Sequence, residues 1–152
     1  MMQSYIRPAK PEDAGRIAEI EIFNYRLQFY PIFKSDVFYF EELQVVSAAE
    51  KLKTSPDLLA STWVYDDGVV KGFIRLAGTE VEKLFVEPVL QGRGIGGALL
   101  KFAVQNHGAC SLWALEKNTR AIAFYQQHGF VLTGEKRPEE DTEEFLVKMK
   151  RK

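Results

Sequence analysis

The 152-residue chain reads as a single α/β domain spanning residues 1–152, with about seven strands and about four helices. Three observations predict this class. Short apolar runs of strand length are bounded by turn signals. Other stretches carry apolar residues at helical spacing. The two kinds of segment alternate, in the order strand, two helices, three strands, helix, strand, helix, two strands. No repeat, linker or low-complexity tract interrupts them.

Each element has a local cause. Ser4 to Arg7 reads as a strand that Pro8 ends. Pro11-Glu12-Asp13 suits a helix start, with proline and acids in the first turn. Ile17, Ile20, Asn24 and Leu27 then recur at helical spacing to about Tyr30, where Pro31 stops the helix. A second helix runs from about Phe40 to Lys53, its end marked by Ser55-Pro56-Asp57. Leu59 to Tyr65 and Val69 to Leu76 flank Asp66-Asp67-Gly68, a hairpin signal. Glu80 to Val86 alternates at first and then turns wholly apolar. Gly94 to His107 is a helix with Leu99, Phe102 and Ala103 on one face. Ala109 to Leu115 reads as a buried strand. Asn118 caps a helix that Gly129 terminates after His128. Phe130 to Lys136 and Glu144 to Met149 form a closing hairpin.

Composition narrows the function. Twenty basic residues against twenty-one acidic ones give no basic field, which argues against nucleic acid as a partner. A single cysteine, Cys110, allows no internal disulfide, and its apolar strand makes it a core thiol. His107 and His128 fall near helix C-termini, where capping suits them. With these residues so dispersed, no metal site is expected. No run is apolar and long enough for a membrane span or signal segment, so the expected location is cytoplasmic.

The most informative stretch is Val86 to Leu100. A strand ends, Pro88 breaks it, and four glycines (Gly92, Gly94, Gly96 and Gly97) open an apolar helix. Glycines there let backbone N–H groups approach a ligand, and the helix N-terminus favours an anion such as a diphosphate. Gly92, Gly94 and Gly97 satisfy the dinucleotide pattern G-x-G-x-x-G, and Glu116 falls near its ribose-binding acid. Against that reading, Glu87 to Gln91 intervene after the strand, and too little chain follows for a doubly wound domain. A Walker loop fails because Ala98-Leu99 follow Gly97.

Gln91-Gly92-Arg93-Gly94-Ile95-Gly96, entered through Leu84-Phe85-Val86-Glu87-Pro88, resembles the acetyl-CoA loop of the GCN5-related N-acetyltransferase (GNAT) superfamily. Asn118-Thr119-Arg120-Ala121-Ile122-Ala123-Phe124-Tyr125, followed by His128-Gly129-Phe130, resembles the family's next signature. The close match covers about residues 80 to 131. The resemblance implies a mixed sheet splayed at a CoA cleft. It also implies acetyl transfer from acetyl-CoA to a primary amine by direct attack in a ternary complex.

The resemblance assigns roles by position. Gln91, Gly92, Arg93, Gly94, Ile95, Gly96 and Gly97 would hold the diphosphate. The backbones of Leu84, Phe85 and Val86 would pair with the pantetheine arm and supply an oxyanion donor. Asn118, Ala121 and Phe124 would complete the cofactor side. Tyr125 would contact the cofactor and protonate the leaving thiolate. Glu80 and Glu82, which share one face of the strand because side chains alternate, are candidates to take the amine's proton. Phe23, Tyr25, Phe29 and Tyr30 lie in the region that lines the acceptor side in the family.

The expected acceptor is a small-molecule amine, with a protein lysine or N-terminus as the alternative. A non-catalytic CoA-binding module is a further alternative, and a homodimer is compatible with the aromatic-rich segment. Pro138 to Glu144 reads as a solvated hairpin tip whose acids could draw a cationic amine toward the cleft.

Overall fold

In the computed structural model, which describes residues 2–152, seven strands form one sheet. They are β1 (Ile6–Pro8), β2 (Thr62–Asp66), β3 (Val70–Ala77), β4 (Glu80–Val86), β5 (Ser111–Leu115), β6 (Phe130–Pro138) and β7 (Phe145–Arg151). Their spatial order is β1-β2-β3-β4-β5-β7-β6. All neighbours are antiparallel except β4 and β5, which are parallel and pair only at Glu80↔Ser111 and Val81↔Leu112. Beyond Val81 the two strands diverge, so the middle of the sheet is open.

A bulge makes the divergence directional. Arg75 faces Lys83 and Leu76 faces Val81, leaving Glu82 as the extra residue of β4. The strict alternation expected for Glu80 and Glu82 is therefore interrupted. Val81, Leu84 and Val86 pack on one face of the sheet, while Phe85 packs on the other.

Six helices cover the two faces. The helices α1 (Ala14–Asn24), α3 (Val45–Lys53) and α4 (Pro56–Ala60) bury Ile17, Ile20, Leu52 and Leu59 against Val64 and Phe73. On the opposite face α5 (Ile95–His107) buries Leu99, Leu100 and Ala103 against Ile74, Leu112 and Met149. Ile122 and Phe124 of α6 (Thr119–Gln127) join that core. The short α2 (Tyr30–Phe33) follows the wide turn after α1.

Several boundaries differ from the sequence reading. Pro31 does not stop the first helix. The chain widens into a π turn over Tyr25–Phe29, with the Tyr30 N–H bonded to the Tyr25 carbonyl, and Pro31 then sits in the first turn of α2, where no N–H is needed. The expected second helix is broken. A second wide turn, Val37–Glu42, ends at Leu43 and Gln44, both extended, before α3 begins. Pro56 starts a helix rather than marking an end, so β2 begins later than Leu59. β1 is displaced to Ile6–Pro8, where the edge position tolerates proline. Cys110 is exposed and precedes β5, because only Ala109 beside it turns inward.

Candidate functional site

The open centre of the sheet holds two cavities that meet. The smaller, of about 340 Å3, lies between the end of β4, the glycine loop, and the facing side of α6. The larger, of about 1030 Å3, lies between the aromatic turns after α1, the β4 bulge, β5 and the β6–β7 tip. Gln28, Leu84, Phe85, Asn118, Ala121 and Tyr125 line both, and so form the neck between them.

The smaller cavity is built from backbone. Gly92 and Gly94 have φ of 83° and 86°, a left-handed conformation that side chains resist. Gly94 is the N-cap of α5, so the first N–H groups of that helix have no partner within it and face a cavity lined by Gly94 to Gly97. Gly96 and Gly97 serve a different purpose. A β-carbon on Gly96 would lie 3.4 Å from the Phe124 ring, and one on Gly97 would lie 2.8 Å from His128 Nε2. These two glycines let α6 approach α5 closely. The charge at this cavity also differs from expectation. Arg93 is exposed and lies outside the lining, whereas Arg120 lines it.

The end of β4 offers backbone donors. The Glu87 N–H is bonded to the Lys71 carbonyl, so the Phe85 groups also face β3 by alternation. Leu84 and Val86 therefore turn their N–H groups toward the gap. The Val86 carbonyl is already taken: Asn24 Nδ2 donates to it at 2.9 Å and Gln91 Nε2 at 3.2 Å.

Tyr125 stands at the neck, half-buried, with its ring against Phe124 and Phe130 at 5.2 and 5.9 Å. Its hydroxyl has no hydrogen-bond partner among the described residues, and burial pushes the phenol well above the ordinary tyrosine range. Asn118 caps α6, its Oδ1 accepting from the Ala121 N–H at 3.3 Å, while its Nδ2 donates to Gln28.

The larger cavity is built from side chains. Tyr25 and Phe29 stack at 5.1 Å and both meet Phe85. Arg26 donates to the Tyr39 carbonyl at 3.0 Å and lies 5.5 Å from the Phe40 ring, pinning the second wide turn to the first. Burial, then Tyr25 and Glu139, push the Tyr39 phenol up to about 12. Glu139 and Tyr39 both line this chamber. The tip segment is ordered: Glu139 N–H bonds to the Glu144 carbonyl at 2.8 Å, and Thr142 Oγ1 donates to the Glu139 carbonyl at 2.9 Å. Lys83, the single basic residue in the lining, is already paired with Glu21. Burial disfavours its ammonium, but Tyr25 and Glu21 outweigh that and hold its pKa above the ordinary value.

The structure separates some expected site residues from the rest. Glu82 lines the larger cavity, but Glu80 does not. It sits where β4 still pairs with β5. Tyr25 and Phe29 line it, but Phe23 and Tyr30 do not. Phe23, two residues from Tyr25 on a helix, points to the opposite side and is exposed. Tyr30 packs on Tyr39 and Phe40 and donates to Asp36 at 2.6 Å. Asn24, in the sequence only one member of a helical stripe, lines the smaller cavity, Gln28 lines both, Trp113 lines the larger, and the acids of the β6–β7 tip line the larger cavity. The available signal for the first two was a pair of amides four residues apart beside an apolar stripe.

Residues 59–132 match the family model described as the acetyltransferase (GNAT) domain. That match spans just under half of the 152 residues, so over this segment the chain is similar to the GNAT family. The solved N-acetyltransferase from Staphylococcus aureus Mu50 shares its fold, with a TM-score of 0.76 at 19% identity, covering 95% of this chain and 98% of that one. The structure of yncA from Salmonella typhimurium, solved with its cofactor acetyl-CoA, has a TM-score of 0.63 at 20% identity, covering 95% and 91%. In sequence, this chain is 40% identical over 73 residues to the peptidyl-lysine N-acetyltransferase YiaC of Escherichia coli K12. That match covers 47% of this chain and 50% of YiaC. The chain spans about half the length of the curated relatives it matches. Among the described residues, no helix is long and apolar enough to cross a membrane and no acid, histidine or cysteine group could hold a metal ion.

Proposed function

We propose that this protein transfers the acetyl group of acetyl-CoA to a primary amine. The observation that carries the reading is the meeting of two cavities at Tyr125, one walled by free helix N–H groups and one by aromatic rings and acids.

The fit to the donor rests on the backbone. Left-handed Gly92 and Gly94 expose the first N–H groups of α5, which suit a diphosphate, and Arg120 adds a cation beside them. When bound, acetyl-CoA supplies an activated acyl group on a thiol leaving group. The N–H groups of Leu84 and Val86 are aimed where negative charge on the acyl oxygen develops. Tyr125, whose phenol lines both cavities at the neck, donates its proton at the departing sulfur. Glu82 in the larger cavity takes a proton from the incoming ammonium through water, leaving the nitrogen lone pair free to attack.

The acceptor side supports an ammonium on an apolar stem. Aromatic faces attract cations, and the tip segment 139–144 with Glu42 and Glu82 lines the chamber with carboxylates. A small-molecule amine fits this description. A peptidyl lysine is the second reading, favoured by the activity named for YiaC and by the same chemistry of a side-chain ammonium. The test is thiol release from acetyl-CoA across a panel of small amines and lysine peptides. Amine-dependent release supports transfer, and the responding class decides between the two acceptors. Acetyl-CoA binding with no release above the amine-free rate contradicts it in favour of a CoA-binding module.

A further inference from the structure

One side chain joins the two cavities without lining the larger. Asn24, the last residue of α1, has no exposed surface, yet it is a polar residue among Ile17, Ile20 and Ile22. All four of its hydrogen-bonding positions are used. Its Nδ2 donates to the Ile20 carbonyl at 2.8 Å and to the Val86 carbonyl at 2.9 Å. Its Oδ1 accepts from Gln28 Nε2 and from Gln91 Nε2, each at 2.8 Å. The two carbonyls fix which end of the carboxamide is the donor, so the orientation is determined by its partners. Gln28 Oε1 then accepts from Asn118 Nδ2 at 3.3 Å. A continuous amide chain thus runs from the glycine loop, through α1, to the cap of α6.

We infer that Asn24 is the positioning residue of this cleft: its carboxamide sets the end of β4 and the glycine loop in register with the neck. The inference rests on the proposed use of the smaller cavity for acetyl-CoA. Three consequences follow from the geometry. Asn24 holds the Val86 carbonyl, so the adjoining N–H groups of Leu84 and Val86 keep a fixed direction at the gap. It holds the Gln91 side chain, so that amide is an internal strut and not a free ligand for phosphate. Through Gln28 it ties both to Asn118, whose side chain stands at the neck. An apolar residue of similar size would fill the volume but make none of these bonds, and a buried amide left half-satisfied is costly.

Asn24→Asp is the sharpest probe. It keeps the shape and still accepts from Gln28 and Gln91, but it turns oxygen toward the Ile20 and Val86 carbonyls. Asn24→Ala removes every bond. Ile17→Val, buried on the same helix and outside the amide chain, controls for lost stability. For both Asn24 variants, calorimetry should show acetyl-CoA binding weakened about tenfold, and kcat should fall by about the same factor. The control should lower Tm while leaving both constants within about twofold of wild type. A double-mutant cycle gives a second reading. Gln28→Ala and Gln91→Ala should be non-additive in acetyl-CoA affinity when Asn24 is present and additive when it is alanine.

Wild-type affinity and kcat in Asn24→Asp would overturn the inference, as would constants that change no more than those of the stability control. Binding is measured directly, so the outcome is separable from the acetyl-transfer reading. If no amine releases CoA from any variant, the transfer reading falls, while the affinity series still decides the role of Asn24.

Discussion

The two cavities of the cleft are made of different material. One is written in backbone: two left-handed glycines, the open first turn of α5, and the exposed N–H groups at the end of β4. The other is written in side chains drawn from four separate parts of the chain: the turns after α1, the β4 bulge, β5 and the β6–β7 tip. A backbone site suits a ligand portion that never varies, because main-chain donors carry no side-chain identity to alter. A side-chain site suits the portion that sets specificity. On the proposed acetyl transfer, the acceptor is chosen in the larger cavity, and variants in the two regions should have separable kinetic effects.

The largest effect is expected at the neck, where both regions act together. Tyr125→Phe should lower kcat by about 100-fold, with acetyl-CoA affinity within about threefold of wild type. Steady-state kinetics beside calorimetry checks both halves, and unchanged turnover would remove the acid role of Tyr125.

Within the backbone cavity, Gly94→Ala forces a side chain into a left-handed N-cap at φ 86°. Acetyl-CoA affinity should fall about tenfold, and the KM of a saturating amine should stay nearly constant. Equal loss in both would blur the separation. Arginine placement sharpens it further. Arg120→Ala should raise the KM for acetyl-CoA by about fivefold, and Arg93→Ala by less than twofold, because only Arg120 lines the cavity.

In the side-chain cavity, Glu140→Gln with Asp141→Asn and Glu143→Gln should raise the amine KM about fivefold at low salt. Acetyl-CoA affinity should not move. The difference should shrink at about 0.5 M salt, where charge attraction is screened. A KM that ignores the acids at low salt would make the tip a solvated turn.

The smallest effect on activity is expected far from both. Arg7 bonds Asp13 at 2.8 and 2.9 Å and also Asp66, fastening β1 to β2. Burial alone would raise the Asp13 pKa, but the Arg7 and Lys10 bonds outweigh it and hold the carboxyl below its usual value. A lowered folded-state pKa stabilises above the unfolded value near pH 4 and loses that contribution as pH falls below it. Asp13→Asn should therefore cost about 2 kcal/mol at neutral pH, flatten the acid limb of a stability curve, and leave kinetic constants near wild type.

The same contrast explains how much could be read from the chain. Gly92 and Gly94 are legible because a left-handed turn before an apolar helix demands glycine at particular positions. Tyr125 and Asn118 are legible because one helix carries both at fixed spacing. The acceptor wall is not, because Trp113, Tyr39 and Glu139 become neighbours only after β5, the wide turns and a hairpin tip converge. The π turn at Tyr25–Phe29 shifts helical phase, so Tyr25 and Phe29, four residues apart, both line the cavity while Tyr30 beyond it does not. Glu80 and Glu82 lie two residues apart, yet Glu80 sits where β4 still pairs with β5 and only Glu82 lines the larger cavity, a difference of sheet topology that alternation does not reveal. Asn24 was legible only as a member of an apolar stripe, since its four partners come from α1, β4, the turn and the loop.

A structure of the protein with CoA bound tests the central claim most directly. The account predicts the diphosphate on the N–H groups of residues 94–97 and the thiol sulfur at the neck, within about 4 Å of Tyr125 Oη. A pantetheine arm that bypasses the gap beside Leu84 and Val86, or a sulfur far from Tyr125, would contradict the account of two cavities meeting at one reacting centre.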